Sequence, residues 1–127
     1  MSDTTTRGVR VQVSPRYLEE QSDPRAGLWA FAYHVVISNE GAEPVQLLSR
    51  HWIITDANGR IEEVRGPGVV GQQPLIAPGE SWDYVSGCPL GTAMGTMHGS
   101  YRMRTARGDT FDAEIAPFTL AEPYSLN

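Results

Sequence analysis

A glycine-rich segment at residues 66–71 has the spacing most suggestive of ligand chemistry. It reads GPGVVG, a G-x-G-x-x-G pattern, and Arg65 precedes it. In dinucleotide-binding folds such glycines let backbone amides approach a pyrophosphate, and a following helix adds partial positive charge. Pro74 and Pro78 exclude a helix of useful length here. Two interpretations remain: a phosphate-binding loop that uses Arg65, Gly66, Gly68 and Gly71, or a glycine-rich connection between strands.

Three histidines, His34, His51 and His98, are the candidate metal ligands. Imidazole suits divalent transition metals, including cobalt. Compact metal sites usually show short ligand spacing or Cys/His pairs, whereas these histidines lie far apart in the sequence. A divalent-metal site built on His51 and His98 therefore requires the fold to bring them together. The alternative is that each is a surface or hydrogen-bonded strand histidine.

Ser86 and Cys88 are the candidate nucleophiles, and His98 is the nearest histidine that follows them. A hydrolase needs a nucleophile, a base and an orienting acid, yet no nucleophile-elbow pattern surrounds these residues. Cys88 shares the alternation that places Trp82 and Tyr84 in the core, and buried cysteines are usually inert. We therefore predict no catalytic residues, no cofactor and no enzymatic activity.

The elements that must position these residues are predicted to be β-strands. Apolar and polar residues alternate with a period of two, which places one set on a core face. The clearest segments are residues 9–14, 29–38, 52–56, 81–84, 101–104 and 111–115. Asn58-Gly59 predicts a two-residue hairpin turn, and Arg107-Gly108-Asp109 predicts a second hairpin. Because the sequence has 13 Gly and 9 Pro, the one plausible helical turn is at residues 15–21.

This pattern indicates an all-β fold, an antiparallel β-sandwich of about seven strands. Turn signals recur at the spacing typical of immunoglobulin-like domains. The single cysteine, Cys88, excludes the antibody disulfide, so a fibronectin type III-like variant fits better. Sandwich edges can pair across a two-fold axis, which makes a homodimer a further expectation.

Composition narrows the environment and the partners. The net charge is −5, and all ten basic residues are scattered arginines, so duplex nucleic acid is not an expected partner. No apolar run approaches the roughly 18 residues of a membrane helix, so membrane insertion is not expected. One cysteine and an N-terminus without a basic-then-apolar pattern favour the cytoplasm.

Several blocks of the chain resemble the ApaG family. The resemblance extends from about Val9 to Leu120 and rests on residues 45–59, 64–74, 75–80, 84–90, 97–103 and 111–112, including VQLLSRHWIITDANG, VRGPGVVGQQP, YVSGCPL and MHGSYRM. It implies one ApaG domain at residues 9–122, between a flexible N-terminal tail at 1–8 and a C-terminal tail at 123–127.

The resemblance also implies a fibronectin type III-like sandwich and a set of functional associations. Bacterial members of the family are linked to cobalt resistance and magnesium efflux. Eukaryotic relatives carry the domain in F-box proteins and in a polymerase-interacting protein, where it resembles a protein-binding module. The glycine pattern of the family has been discussed as a pyrophosphate-binding loop. The leading expectation is a non-catalytic domain that binds a protein partner, with phosphate or nucleotide binding and direct metal binding as alternatives.

Overall fold

The computed structural model describes residues 1–123 and is built almost entirely of β-strands. Two short 3-10 turns, Glu19–Gln21 and Pro24–Ala26, are the helical elements of this part of the chain. The nine strands are β1 (Ser2–Thr6), β2 (Val9–Tyr17), β3 (Trp29–Asn39), β4 (Val45–Asp56), β5 (Ile61–Pro67), β6 (Leu75–Ile76), β7 (Ser81–Leu90), β8 (Met94–Thr105) and β9 (Thr110–Ala121).

The strands form two antiparallel sheets packed face to face, so the predicted all-β sandwich is confirmed. One sheet has the order β1-β2-β3-β7, and the other has the order β5-β4-β8-β9, with β6 pairing the start of β4. Alternate residues of each strand fill the space between the sheets, as the period of two predicts. The inward residues include Val11, Val35, Trp52, Tyr101 and Ile115, each at most 2% exposed.

Two strands were missing from the seven expected from the sequence. β1 occupies Ser2–Thr6 and pairs with β2, so the expectation of a flexible tail at residues 1–8 is wrong. β6 is two residues long and lies between prolines, which is too short for periodicity to reveal. Of the expected C-terminal tail at 123–127, residues 124–127 lie outside the described residues.

The helical turn expected at residues 15–21 is also wrong in part. Pro15, Arg16 and Tyr17 continue β2 and pair with β3, and only Glu19–Gln21 forms a 3-10 turn. Residues 15–17 continue the strand because pairing with β3 gives them backbone hydrogen bonds as part of a long ladder. One isolated helical turn would form fewer such bonds.

The two sides of the sandwich differ, and this difference positions the candidate sites. On one side β1 and β2 lie against β9, and the Glu114 amide donates a 3.1 Å hydrogen bond to the Thr6 hydroxyl. On the other side the edge strands β5 and β7 leave a cleft between the sheets. Among residues 1–123 the structure has no helix with the length and apolar character needed to cross a bilayer.

Candidate functional site

The glycine-rich segment at residues 66–71 forms the end of β5 and a tight turn. The Gly68 amide donates to the Leu48 carbonyl at 2.8 Å, and the Val69 amide donates to the Gln72 carbonyl at 2.8 Å. Val70 and Gly71 have φ values of 42° and 78°, which close a two-residue turn. Two amides of the segment are therefore used within the protein, and no helix follows it.

Arg50 is the residue that the glycine segment holds in place. It lies on β4 opposite Gly66 of β5 and Tyr101 of β8, and directly paired residues share a face of the sheet. Because Tyr101 is fully buried, Arg50 faces the space between the sheets. Its Nη1 donates to the carbonyls of Pro67 at 3.0 Å and Gly68 at 2.9 Å.

The guanidinium of Arg50 packs against Gly66. An ideal Cβ built on Gly66 would lie 2.9 Å from both Nη atoms of Arg50. A glycine at this position therefore lets the flat guanidinium lie against the backbone of β5. Within residues 1–123, no carboxylate oxygen lies within ion-pair distance of Arg50. Sequence analysis did not single out Arg50.

Arg50 borders a cleft of about 210 Å³ at the open side of the sandwich. Its lining includes Tyr33 of β3, Trp52 of β4, and Ser86 and Cys88 of β7. Trp52 is 2% exposed, and its indole Nε1 is buried. The indole N–H is directed at the Tyr84 hydroxyl behind the cleft and partly offsets the rise that burial causes in the pKa of that hydroxyl, although the contact falls outside ideal hydrogen-bond geometry.

Three tyrosine hydroxyls cluster behind the cleft. Tyr84 and Tyr101 share a buried hydrogen bond between their hydroxyls, which links the two sheets. Burial raises the pKa values of Tyr33, Tyr84 and Tyr101, because a phenolate would lose its hydration there. The phenols therefore stay protonated at neutral pH and remain available as hydrogen-bond donors.

The outer face of the five-stranded sheet brings several predicted residues together. Arg65 of β5 lies directly opposite His51 of β4, which in turn lies opposite Ser100 of β8. With Ser49 and Arg102 they line a shallow depression of about 580 Å³. Carboxylates offset this positive charge: Glu63 contacts His51 at 2.8 Å and Arg65 at 3.6 Å, and Asp112 contacts Arg102 at 3.2 Å. The hydrogen bond from His51 lowers the pKa of Glu63.

The two histidines proposed as metal ligands lie on this same outer face. His98 is opposite Ile53, two residue pairs along the strands from the pair of His51 and Ser100. The Nε2 atom of His51 is already bonded to Glu63. In the part of the chain that the structure describes, no group of three His, Cys, Asp or Glu side chains is placed to hold a metal ion. A direct metal site at His51 and His98 stays a prediction.

Cys88 and His98 do not meet. Cys88 is 3% exposed and faces the space between the sheets from β7, whereas His98 is on the outer face of the opposite sheet. Burial raises the pKa of the Cys88 thiol to about 11. At neutral pH the thiol is therefore protonated and a poor nucleophile.

The outer face of the four-stranded sheet carries an exposed apolar patch. Val85 of β7 is 58% exposed and lies opposite His34 of β3. Together with Pro15 and Ala32 they line a depression of about 500 Å³. The Nε2 atom of His34 is 2.8 Å from an Asp83 carboxylate oxygen, which fixes the ring beside the patch.

β7 also forms an open edge of its sheet. Among the described strands it pairs with β3 alone, over ten residues from Ser81 to Leu90. Asp83 is its single charged residue. A long edge with few charges leaves a row of backbone donors and acceptors available to an extended segment.

Comparison with known proteins places the chain in a family. Residues 19–105 match the family model described as the ApaG domain. The chain is 53% identical to Protein ApaG of Dechloromonas aromatica over the whole of both chains. It is also 53% identical to Protein ApaG of Rhodospirillum centenum, over 98% of this chain and 95% of that protein.

A solved structure supports the same assignment. The crystal structure of a Bordetella pertussis protein designated ApaA superposes with a TM-score of 0.89 and 56% sequence identity, over 91% of this chain and 94% of that one. The relatives and the solved structure agree with this chain over nearly its full length, and the family model covers residues 19–105. The resemblance inferred from the sequence is thus confirmed: the chain belongs to the ApaG family.

Proposed function

We propose that this chain is a non-catalytic binding domain that takes an extended segment of a protein partner along the open edge of β7. The observation that carries the proposal is Val85, a large apolar side chain that is 58% exposed on an edge strand with one charged residue. An added strand would use the free backbone groups of β7 for affinity. Side chains on its outer face would contact Val85.

The absence of activity is part of the same proposal. Catalysis needs a nucleophile and a base within hydrogen-bond reach. Cys88 is buried with a raised pKa and lies apart from His98. The His34–Asp83 pair lies on the exposed outer face of its sheet. We propose a cytoplasmic location, which the single cysteine favours, and the family resemblance associates the binding role with cobalt resistance and magnesium efflux.

Matched substitutions test the binding edge. Val85→Glu puts a charge in the patch, whereas Leu75→Glu changes a side chain that is 70% exposed on another surface. Proteins captured from a lysate of the native host are identified, and the segment that binds is synthesised as a peptide. We expect the peptide to shift the amide resonances of β7 and to bind Val85→Glu at least tenfold more weakly than Leu75→Glu. Equal binding by both variants would rule out the β7 edge.

A second candidate function is phosphate or pyrophosphate binding beside the glycine segment. The depression lined by His51, Arg65 and Arg102 favours it, because Arg side chains recognise oxyanions. The glycine amides would contribute less to phosphate binding than the arginines, because the Gly68 amide already donates to the Leu48 carbonyl. Titration with pyrophosphate should shift the resonances of residues 65–71 in the wild type, and Arg65→Gln should weaken binding. Unmoved resonances at millimolar pyrophosphate would exclude it.

A further inference from the structure

The cleft between β5 and β7 contains hydrogen-bond donors that the protein itself leaves without acceptors. Arg50 carries five N–H donors, and its Nη1 bonds account for the donors used within the described residues. Trp52 lines the same cleft, but its indole N–H is closed to solvent and is directed at the Tyr84 hydroxyl. Buried polar groups are nearly always satisfied, so the remaining N–H donors of the half-buried Arg50 call for an explanation.

The charge in the cleft matches these donors. Arg50 is a half-buried cation without a carboxylate partner among residues 1–123. A cation in such a position is ordinarily paired, because leaving it partly desolvated and alone is unfavourable. The protonated Tyr33 hydroxyl and the Ser86 hydroxyl lie in the same lining. Arg50 and these two hydroxyls can stabilise an acceptor that carries negative charge.

Size and a rim carboxylate limit which anion fits. The cleft, at about 210 Å³, is smaller than the pockets of about 300–1,000 Å³ that hold drug-sized ligands. Glu62 of β5 is exposed at its edge and opposes anions that carry several charges. Arg pairs most favourably with planar, bidentate acceptors. A single carboxylate meets all three conditions better than a nucleotide or a pyrophosphate.

We propose that the cleft between β5 and β7 is a carboxylate-binding site, in which Arg50 pairs the carboxylate. The Tyr33 and Ser86 hydroxyls complete the donor set. The carboxylate comes from a small organic acid or from an acidic group of a protein chain. The proposal does not depend on the β7 edge taking a partner, because Arg50 and Trp52 lie inside the sandwich and Val85 lies outside it.

Indole resonances of the tryptophans report the binding, because Trp52 lines the cleft. Propionate is the probe, and an acetylated dialanine peptide with a free carboxylate, compared with its amide, distinguishes the two sources. We expect the Trp52 N–H resonance to shift with both carboxylates and not with the amide. Trp29 serves as an internal reference, because its Nε1 already donates to Glu122 at 3.1 Å. Tighter binding of the dialanine acid than of propionate assigns the site to a protein chain, and the reverse assigns it to a small acid.

Variants of Arg50 separate a built site from general charge attraction. Arg50→Gln should weaken propionate binding at least tenfold, whereas Arg65→Gln, on the outer face, should leave it unchanged. If Arg50→Gln does not fold, Gly66→Ala provides the test. A Cβ at residue 66 would lie 2.9 Å from the Arg50 guanidinium and would displace it, while the variant keeps the positive charge of Arg50. Gly66→Ala should also weaken binding.

Three results would overturn the proposal. The first is an unmoved Trp52 resonance at high millimolar propionate. The second is equal weakening by Arg50→Gln and Arg65→Gln, which would indicate attraction by the overall field. The third is inorganic phosphate binding as tightly as propionate with the same Trp52 shift, which would remove the preference for a carboxylate.

Discussion

Arg50 links the glycine segment to the interior of the sandwich. Its guanidinium rests on Gly66 and donates to the carbonyls of Pro67 and Gly68. Gly66 and the two loop carbonyls thus hold in place a cation that faces inward. Any anion bound near this segment would meet side-chain donors rather than a row of free loop amides.

The sequence contains a signal that Arg50 faces inward, although this signal appears only when Leu47 and Trp52 are considered together. Leu47 and Trp52 are both apolar and both buried, yet they are an odd number of residues apart, which strict alternation forbids. A β-bulge between Leu47 and Ser49 resolves the conflict and turns Arg50 toward the core. The contacts of Arg50 with β5 depend on strand register, which local patterns do not give.

Cys88 offers a pH prediction at the residue scale. Burial raises its pKa from 9.0 in the unfolded chain to about 11 in the folded one. The folded state therefore keeps a proton that the unfolded state has lost, and this contribution to stability is complete below pH 9.0 and is lost as the pH rises through about 11.

Comparison with a Cys88→Ala variant isolates the thiol from the tyrosines, which also titrate at high pH. We expect the stability advantage of the wild type over Cys88→Ala, measured by urea unfolding, to shrink between pH 9.0 and about 11. Iodoacetamide at neutral pH should modify the native thiol far more slowly than the unfolded one. A constant stability difference, with fast native alkylation, would contradict the buried thiol.

At the scale of elements, the two predicted hairpins are real but their turns differ from the expectation. Asn58-Gly59 was predicted as a two-residue turn, whereas a hydrogen bond between Asp56 and Arg60 closes a longer one. In this turn Gly59 has a φ of 82°, and its amide donates to the Asp56 carbonyl. The turn before β9 is built in the same way, with Gly108 at φ 92°. Glycine is favoured at both positions because this conformation strains other residues. The turn residues marked the hairpins, but loop length depends on the strand register.

Asp56 supports the first of these turns. Its Oδ1 accepts hydrogen bonds from the Asn58 amide at 2.9 Å and the Arg60 amide at 3.0 Å. Asp56→Ala should lower the free energy of unfolding by about 1 kcal/mol. Asp109, in the second turn, has no side-chain hydrogen bond within residues 1–123, so Asp109→Ala should stay within about 0.5 kcal/mol. Urea unfolding measures both, and equal losses would refute the role of Asp56.

Gly99 sets the distance between β4 and β8. An ideal Cβ at this position would lie 1.9 Å from the His51 carbonyl oxygen, which belongs to the backbone of the neighbouring strand. Gly99→Ala must therefore push the strands apart, and we expect a loss of about 3 kcal/mol or more. Gly91→Ala is the matched control, because no atom lies within 4 Å of its Cβ. A Gly99→Ala variant as stable as Gly91→Ala would show that the sheet accommodates a side chain there.

Over the whole molecule, the sandwich is closed on one side and open on the other. The closed side depends on β1, whose residues are mostly polar threonines, so alternation of apolar residues could not reveal it. The open side exposes the β7 edge and the cleft beside Arg50. The core and the sheet faces follow from periodicity in the sequence, while this asymmetry arises from pairing between distant strands.

Deletion of residues 2–6 tests the closed side. β1 pairs with β2 over five residues and contacts β9, so its loss leaves β2 as a long edge strand. The lost backbone hydrogen bonds are worth about 1 kcal/mol each, but the entropy cost of ordering the deleted residues, about 1–2 kcal/mol each, is removed with them. We therefore expect a modest loss of stability, together with self-association through the new β2 edge.

Sedimentation velocity over a range of concentrations measures that self-association, and urea unfolding measures the stability. Asp3→Asn is the control, because it keeps β1 while removing the exposed ion pair with Arg10 at 2.6 Å, and exposed ion pairs contribute little to stability. This variant should sediment as the wild type does. If the deletion variant also sediments as the wild type does, with unchanged stability, β1 does not protect the sheet. Association of the deletion variant alone would show that β1 covers the edge of β2 and closes this side of the sandwich.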